Sequence, residues 1–378
     1  MKILLANDTG TKAHIGCQAV SDAHARLLGR AGHRVVHRCF VNELRSFARD
    51  SLERTVRALE RSDALMDRLD AADAVVVNGE GTLHHDNGIE WLALLALAQR
   101  RGKATLLVNA LYQEMSVDTA VLAKLDAFFV RDPRSAAYVA GIGISCRVAP
   151  DSIVAAGFHD TPRIDFGGGL VVTDWVKKRD PDVGAALIAL MMEQPADAPA
   201  GFYPLHDGTA RAAWSRARAD VATAKGVVTG RYHGLYLALL AGVPAVPMAS
   251  NSWKVDAFLE AWRLPLRPCN DLQGARAALA GLDESRSAFR DAAARLRDAG
   301  EPPIFDVLGR GDDESNEERE RAVLREDIAG RSAAIAAEAR AVAKRRLREA
   351  RMQCDLLSAN GQARRGGALR RWLASFGR

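Results

Sequence analysis

Cysteine is too scarce and too scattered in this chain to staple it together. The five thiols, Cys17, Cys39, Cys146, Cys269 and Cys354, are odd in number and include no CxxC pair, so neither a disulfide framework nor a structural zinc site is expected. Long apolar runs are missing too: no window approaches the roughly 18 uncharged residues of a spanning helix. The opening MKILLAN is too short for a signal-peptide core and meets Asp8 at once, which predicts a first β-strand and residence in the cytoplasm. No internal sequence repeat recurs. With 48% hydrophobic and 26% charged residues, the chain has ample material for cores and is not globally disordered.

Acidic residues are short at one end. Between Arg340 and Arg378 there are eleven Arg or Lys against two acids, Glu349 and Asp355, so the formal charge of +5 leaves residues 1–339 at about −4. Basicity belongs to the tail, and an anionic partner is to be sought there rather than along the body. Within the tail, Leu369, Trp372, Leu373 and Phe376 repeat at helical spacing among Arg364, Arg365, Arg370, Arg371 and Arg378. Two readings stand: a short helix lying on an anionic membrane surface, or one docked on the protein itself or on a sister subunit. No nucleic-acid partner is expected.

A length of 378 residues exceeds what one core serves, since cores stop growing at roughly 250–300 residues. The runs KILLA, RVVHRCFV, AVVVNGEG, ATLLVNA and DAFFVRD read as strands. Helical patterns fall between them over Gln18 to Gly29, Ser51 to Leu69, Glu90 to Arg100 and Arg134 to Ala140. The alternation restarts with GLVVTDW, GFYPLH, GVVTG and PAVPMA, separated by helical patterns near Pro181 to Met192, Arg211 to Ala222, Tyr232 to Leu240 and Val255 to Trp262, with closing helices over Leu272 to Leu282 and Glu284 to Ala299. Such order predicts parallel sheets covered by helices: an α/β protein of two Rossmann-like domains, residues 1–160 and 161–311, facing a cleft. A helical, basic tail over 312–378 follows.

Ligands in such sheets gather where strands end and helices begin. Thr229-Gly230-Arg231-Tyr232-His233-Gly234 lies at one such junction. It predicts His233 at a helix N-terminus, where backbone N–H groups and the dipole favour phosphate or carboxylate and where a histidine can also donate a proton; a plain capping role fits the spacing equally. Lys254, after PAVPMA, falls at the neighbouring junction and can reach the same pocket, or remain a solvated surface lysine. Arg131 ends the strand FFV and can clamp a carboxylate, or pair with Asp132 or a neighbour. Asn78-Gly79-Glu80-Gly81 follows the strand AVVV, and its two glycines permit tight turns and close approach to a ligand. His84, His85 and Asp86 invite a metal reading, but adjacent side chains diverge and no third partner is marked, so no metal is expected.

These residues, in this order, resemble the polysaccharide pyruvyl transferase family. GRYHGLYLALLAGVPAVPMASNSWKVDAFLEAW is similar to the family's Arg-x-His-Gly helix, its Ala-Gly-Val-Pro turn and the lysine-bearing segment after it. FVRDPRSAAYVAGIGI resembles its arginine-bearing strand and helix, VVVNGEGTLHHD its glycine-rich loop, and HIGCQAV its Asn-Ile-Gly-Asp loop. The likeness spans roughly residues 1–300. Asn78 and Glu80 stand where that loop has more glycine, and His14 and Cys17 replace the usual Asn and Asp.

The resemblance implies two glycosyltransferase-B-like Rossmann domains and transfer of the enolpyruvyl unit of phosphoenolpyruvate onto a saccharide hydroxyl in cell-surface polysaccharide biosynthesis. It places Arg131, His233 and Lys254, with Arg231, at the donor, and the loop of Asn78, Gly79, Glu80 and Gly81 on the acceptor side. Phosphoenolpyruvate is then a substrate and no cofactor is needed. The acceptor is a saccharide, free or lipid-linked. Since Arg131, His233 and Lys254 are expected in a cleft, their alanine variants should fold yet lose turnover. Two other readings remain: a nucleotide-sugar glycosyltransferase on the same scaffold, and a non-catalytic glycan- or anion-binding member.

Overall fold

A computed structural model describes residues 1–309 apart from 117–118, 159–160, 163, 176–180, 194–200, 204 and 206–211; the expected tail helix lies outside the described residues. The first half of the chain runs β1 (Lys2–Asp8), α1 (Ile15–Arg30), β2 (Arg34–Phe40), α2 (Leu52–Leu59), α3 (Asp63–Asp70), β3 (Ala74–Asn78), α4 (Ile89–Arg100), β4 (Ala104–Ala110), α5 (Ala120–Ala123), β5 (Ala127–Val130), α6 (Pro133–Gly141) and β6 (Arg147–Val148). The second runs β7 (Leu170–Trp175), α7 (Pro181–Glu193), β8 (Gly201–Tyr203), α8 (Ala212–Ala222), β9 (Gly226–Gly230), α9 (Tyr232–Ala241), β10 (Ala245–Pro247), α10 (Lys254–Ala261), α11 (Leu272–Ala280) and α12 (Arg286–Ala299).

Among the described residues the strands form two parallel sheets, β2-β1-β3-β4-β5-β6 and β10-β9-β7-β8. Their central strands are near-continuous apolar runs because helices cover both faces: Ala74, Val75, Val76 and Val77 of β3 are all buried. The result is the two-sheet, Rossmann-like architecture anticipated above. No helix among the described residues is long and apolar enough to cross a membrane.

One helix expected over Ser51 to Leu69 is two, α2 and α3. The buried residues explain the break: Leu59 and Leu65 both face the core, yet a spacing of six falls off the 3.6-residue period, so a straight helix could not bury both. Strand β6 was not anticipated; its two residues at the sheet edge are too few to show a pattern. The end of the expected 161–311 domain also departs from its own sheet. Ile304 and Phe305 pack in the first sheet's core with Ile3, Leu5 and Leu28, and Glu301 pairs with Arg26 at 2.7 Å and Arg30 at 2.6 Å.

The two sheets are joined by a shared core. Ile15, Ala19 and Val20 of α1 pack with Leu205, Trp214, Val221 and Tyr232 of the second half. Ile15 N–H donates across to the Leu205 carbonyl at 2.7 Å, Trp253 N–H to Gln113 Oε1 at 3.2 Å, and Arg134 pairs with Glu260. These contacts hold the ends of β3, β5 and β9 against one another.

Candidate active site

The site begins where β9 hands over to α9. Helix α9 is buried from Tyr232 to Leu239 and ends at Gly242 in a left-handed conformation (φ 66°). Its N-cap residue, Arg231, provides no side-chain cap, which leaves the helix start open to an anion. His233, in the first turn, is buried, and its Nε2 lies 3.6 Å from Glu80 Oε1 and 3.9 Å from Asp151 Oδ2. Neither distance is a hydrogen bond, and Nε2 has no partner among the described residues.

Opposite it stands Arg131 at the end of β5. Its Nη1 donates to Asp151 Oδ2 at 2.8 Å, its guanidinium lies 4.0 Å over the Tyr232 ring, and its buried Nε has no partner among the described residues. Asp132, the neighbour considered as a partner, instead caps α6 by accepting from Ser135 N–H at 2.7 Å. Arg231 is gripped by Asp174, with Nε at 2.8 Å and Nη2 at 2.6 Å from Oδ2. Lys254, half-buried at the start of α10, donates to Asn251 Oδ1 at 2.8 Å. Arg131 and His233 are buried at 4% and 5% exposure, so these two side chains are packed inside the fold rather than lining an open surface as expected.

The loop after β3 divides its residues. Asn78 is structural: its carbonyl accepts from Asn7 at 2.5 Å and its Oδ1 from Glu80 N–H at 3.1 Å. Gly79 permits close approach, but of the sheet to itself, since a Cβ there would lie 2.5 Å from Ala110 Cβ. Gly81, at φ +55° with open space around it, makes the turn. Glu80 alone points its chemistry at His233; it accepts from Thr9 Oγ1 at 2.7 Å and from Cys17 Sγ at 3.0 Å. Further along, His85 pairs with Glu114 at 2.6 Å and Asp86 accepts from Ser116 N–H at 2.5 Å, so both brace a loop.

Charge follows from this packing. Loss of water around its ammonium group, reinforced by Arg131 and Arg231, pulls Lys254 down to about 7. Burial would raise Glu80, but His233, Lys12 and the donors Cys17 and Thr9 outweigh it and hold the carboxyl at about 2. Burial lowers His233, with Arg131 and Lys254 acting the same way against Glu80 and Asp151. Burial, with Glu80 beside it, pushes the Cys17 thiol well up, so it stays protonated and donates.

Several contributors escaped sequence reasoning. Asp151 and Asp174 each fix an arginine through a fold contact between residues 20 and 57 apart, a pairing no local motif displays. Gly16 is the other: a Cβ on it would lie 2.5 Å from His233 Nδ1, so the start of α1 reaches the imidazole only because it is glycine. His14 caps α1 by accepting at Nδ1 from Gly16 and Cys17 N–H groups, at 3.2 and 3.3 Å. His14, Cys17 and His233 thereby bring ligand-type atoms within 4.8 Å of one another, the one such group among the described residues. In the absence of a cation the thiol is held protonated by burial and Glu80, and His14 Nδ1 accepts from two backbone amides.

A family model described as polysaccharide pyruvyl transferase matches residues 14–252, a stretch containing each of these side chains except Lys12, Thr9, Asn7 and Lys254. No curated protein is significantly similar in sequence. Among solved structures, the chain is similar to a Listeria monocytogenes protein assigned as a UDP-N-acetylglucosamine 2-epimerase, at TM-score 0.53 and 11% identity over 81% of this chain and 94% of that one. It is also similar to a calicheamicin glycosyltransferase, at TM-score 0.50 and 16% identity over 82% and 99%. At these identities the likeness concerns the fold.

Proposed function

Because the chain belongs to the polysaccharide pyruvyl transferase family, an enzyme family that draws enolpyruvyl units from phosphoenolpyruvate for transfer to saccharides, we propose that the junction of β5, β9 and α10 is its donor site. The observation that carries this reading is that Arg131, 4.0 Å over the Tyr232 ring in the first turn of α9, and Arg231, the N-cap of that helix, flank its start, with Lys254 within reach of both charges. A carboxylate and a phosphate on one small molecule are what such a field accepts best. Arg131 offers its unpaired Nε to the carboxylate; Arg231, Lys254 and the α9 amides take the phosphate.

In the reaction C3 of phosphoenolpyruvate gains a proton from His233 Nε2 while an acceptor hydroxyl oxygen forms a bond to C2, and the proton lost by that hydroxyl returns to the imidazole. Positive charge that builds at C2 is balanced by the bound anionic groups. Attack of a second hydroxyl at C2 expels phosphate, which carries off the hydroxyl proton, and closes a pyruvate ketal. No metal or cofactor enters the scheme, because the cationic side chains and the helix start supply the stabilisation. The first sheet's loops, from His14 to Cys17 and from Asn78 to Thr82, border the acceptor side.

The direct test is a mass shift on candidate glycans incubated with phosphoenolpyruvate. Ketal formation adds a pyruvyl unit and releases phosphate. Transfer of a hexose from a nucleotide sugar, with thermal stabilisation by nucleotide sugars and none by phosphoenolpyruvate, would instead favour glycosyl transfer. We also propose that the reaction runs on the cytoplasmic side and that the basic tail of residues 340–378 holds the enzyme near a lipid-linked acceptor. Liposome sedimentation compares full-length protein with a truncation after Asn360: greater pelleting of the full chain with anionic vesicles, weakening with salt, supports it. Equal pelleting would sink it.

A further inference from the structure

We infer that Glu80 is the positioning residue of His233, the group whose negative charge allows the imidazole to carry a proton in this buried site. The inference deepens the donor-site reading and rests on it for the role of His233 as proton donor. Two carboxylates stand near Nε2, at 3.6 Å for Glu80 and 3.9 Å for Asp151, and distance alone does not choose between them. Their other partners do. Asp151 is bonded to Arg131 Nη1 at 2.8 Å and accepts from Ile153 N–H at 2.9 Å, so most of its charge is cancelled where it stands. Glu80 receives only neutral donors, Thr9 O–H at 2.7 Å, Cys17 S–H at 3.0 Å and the Asn78 amide at 3.4 Å. Among the described residues no arginine or lysine forms an ion pair with it; Lys12 acts on it only from beyond ion-pair distance, so most of its charge is left for the imidazole.

The remaining neighbours press the other way or fix the ring. Arg131 and Lys254 oppose protonation of His233; the His14 ring meets it edge-on at 5.4 Å and the Tyr232 ring at 5.7 Å. Gly16 backs it so closely that a methyl group would overlap the imidazole, while the Cys17 Sγ lies within 4.8 Å of one of its ring nitrogens. A buried imidazolium facing two cations needs one uncancelled anion, and Glu80 is where the fold provides it. At 3.6 Å the carboxylate acts through its field rather than by taking the Nε2 proton, which stays available to substrate. Glu80 is thus not a base towards the acceptor: its own donors hold it ionised and occupy both oxygens.

The test is an NMR titration of His233 in the free protein, assigned by its loss in His233→Gln. In Glu80→Gln the midpoint should fall by one pH unit or more, a tenfold loss of proton affinity, because the counter-charge is gone while the shape is kept. Glu80→Asp, which withdraws the charge by one methylene, should give an intermediate shift and serves where the glutamine variant does not fold. With phosphoenolpyruvate and acceptor, the basic limb of the kcat profile should move to lower pH in the same order. Coincident His233 midpoints in wild type and folded Glu80 variants would overturn the inference. Since the titration needs no substrate, a shifted midpoint without detectable pyruvyl transfer would break the donor-site reading and leave the Glu80–His233 coupling standing.

Discussion

Two arginines end strands on opposite sides of the same site, and they are held differently. Arg131 and its partner Asp151 are sealed, at 2% and 0% side-chain exposure, and one corner of the guanidinium is bonded while Nε is left without a partner. Arg231 is 19% exposed and is gripped by Asp174 through both Nε and Nη2. An unpaired buried N–H costs about 1–3 kcal/mol, so Arg131 stands ready for a ligand oxygen at a fixed place. Arg231 has Nε and Nη2 already bonded and keeps only its solvent edge for an incoming anion. One residue type thus serves as a sealed clamp or as a solvent-edge one, according to which edge the fold occupies.

The largest effect should come from breaking the sealed pair. Arg131→Ala leaves Asp151 buried and uncompensated, a loss of about 3–5 kcal/mol, so this variant should lose stability as well as turnover, contrary to what a cleft position would imply. Arg231→Ala leaves the buried Asp174 with the Leu205 N–H as a donor and with water able to enter where Arg231 is 19% exposed, so it should cost less than Arg131→Ala and act mainly on donor affinity. Urea unfolding of the two variants measures the contrast; equal midpoints would erase the distinction drawn between them.

Next comes the packing that aims His233. Gly16→Ala places a methyl carbon 2.5 to 2.7 Å from the imidazole, and that overlap must displace the ring or α1. About 1–3 kcal/mol of stability and on the order of a hundredfold in turnover should be lost, with donor binding less affected because Lys254 and Arg231 stay in place. Ligand affinity measured beside turnover separates the two; unchanged turnover would mean the ring is free to shift without consequence.

These two cases mark what the sequence could and could not show. Strand-to-helix junctions made Arg131, His233 and Lys254 legible, since apolar runs of β-formers ending in polar residues announce where ligands collect. The two sheets were legible for the same reason. What stayed hidden depends on contacts between distant segments: Asp151 under Arg131, Asp174 on Arg231, and Gly16 against His233. Glycines illustrate it well, because Gly79 and Gly16 carry the same signature in sequence, yet one lets the sheet approach Ala110 and the other admits the His233 ring. Cys17 and Glu80 looked like two unrelated departures from the family pattern. In the fold they touch at 3.0 Å.

A smaller and reversible effect is expected from pH. Lys254 carries its charge below about 7 and loses it above, so it grips the donor best on the acidic side, and the KM for phosphoenolpyruvate should rise as pH climbs through 7. Lys254→Ala should have a raised, flatter KM over that range. Lys254→Arg, charged throughout, should also flatten the profile but with a lower KM than the alanine variant. A rise in KM that persists unchanged in both variants would locate the titrating group elsewhere.

The smallest effect, none at all, is expected from removing metal ions. His14, Cys17 and His233 are close enough together to hold one, yet the first two are committed otherwise. The thiol is kept protonated by burial and by the Glu80 charge, and it donates to that carboxylate. His14 presents Nδ1 to two backbone amides, and Arg131 and Lys254 raise the cost of placing a dication beside His233. Turnover with phosphoenolpyruvate should therefore be the same before and after dialysis against EDTA, and added Zn²⁺ should not activate. Loss of activity on chelation, restored by Mg²⁺ or Mn²⁺, would point to a diphosphate donor and to glycosyl transfer. In that event the contrast between the two arginines would have to be read again, as two grips on a nucleotide rather than on a carboxylate and a phosphate.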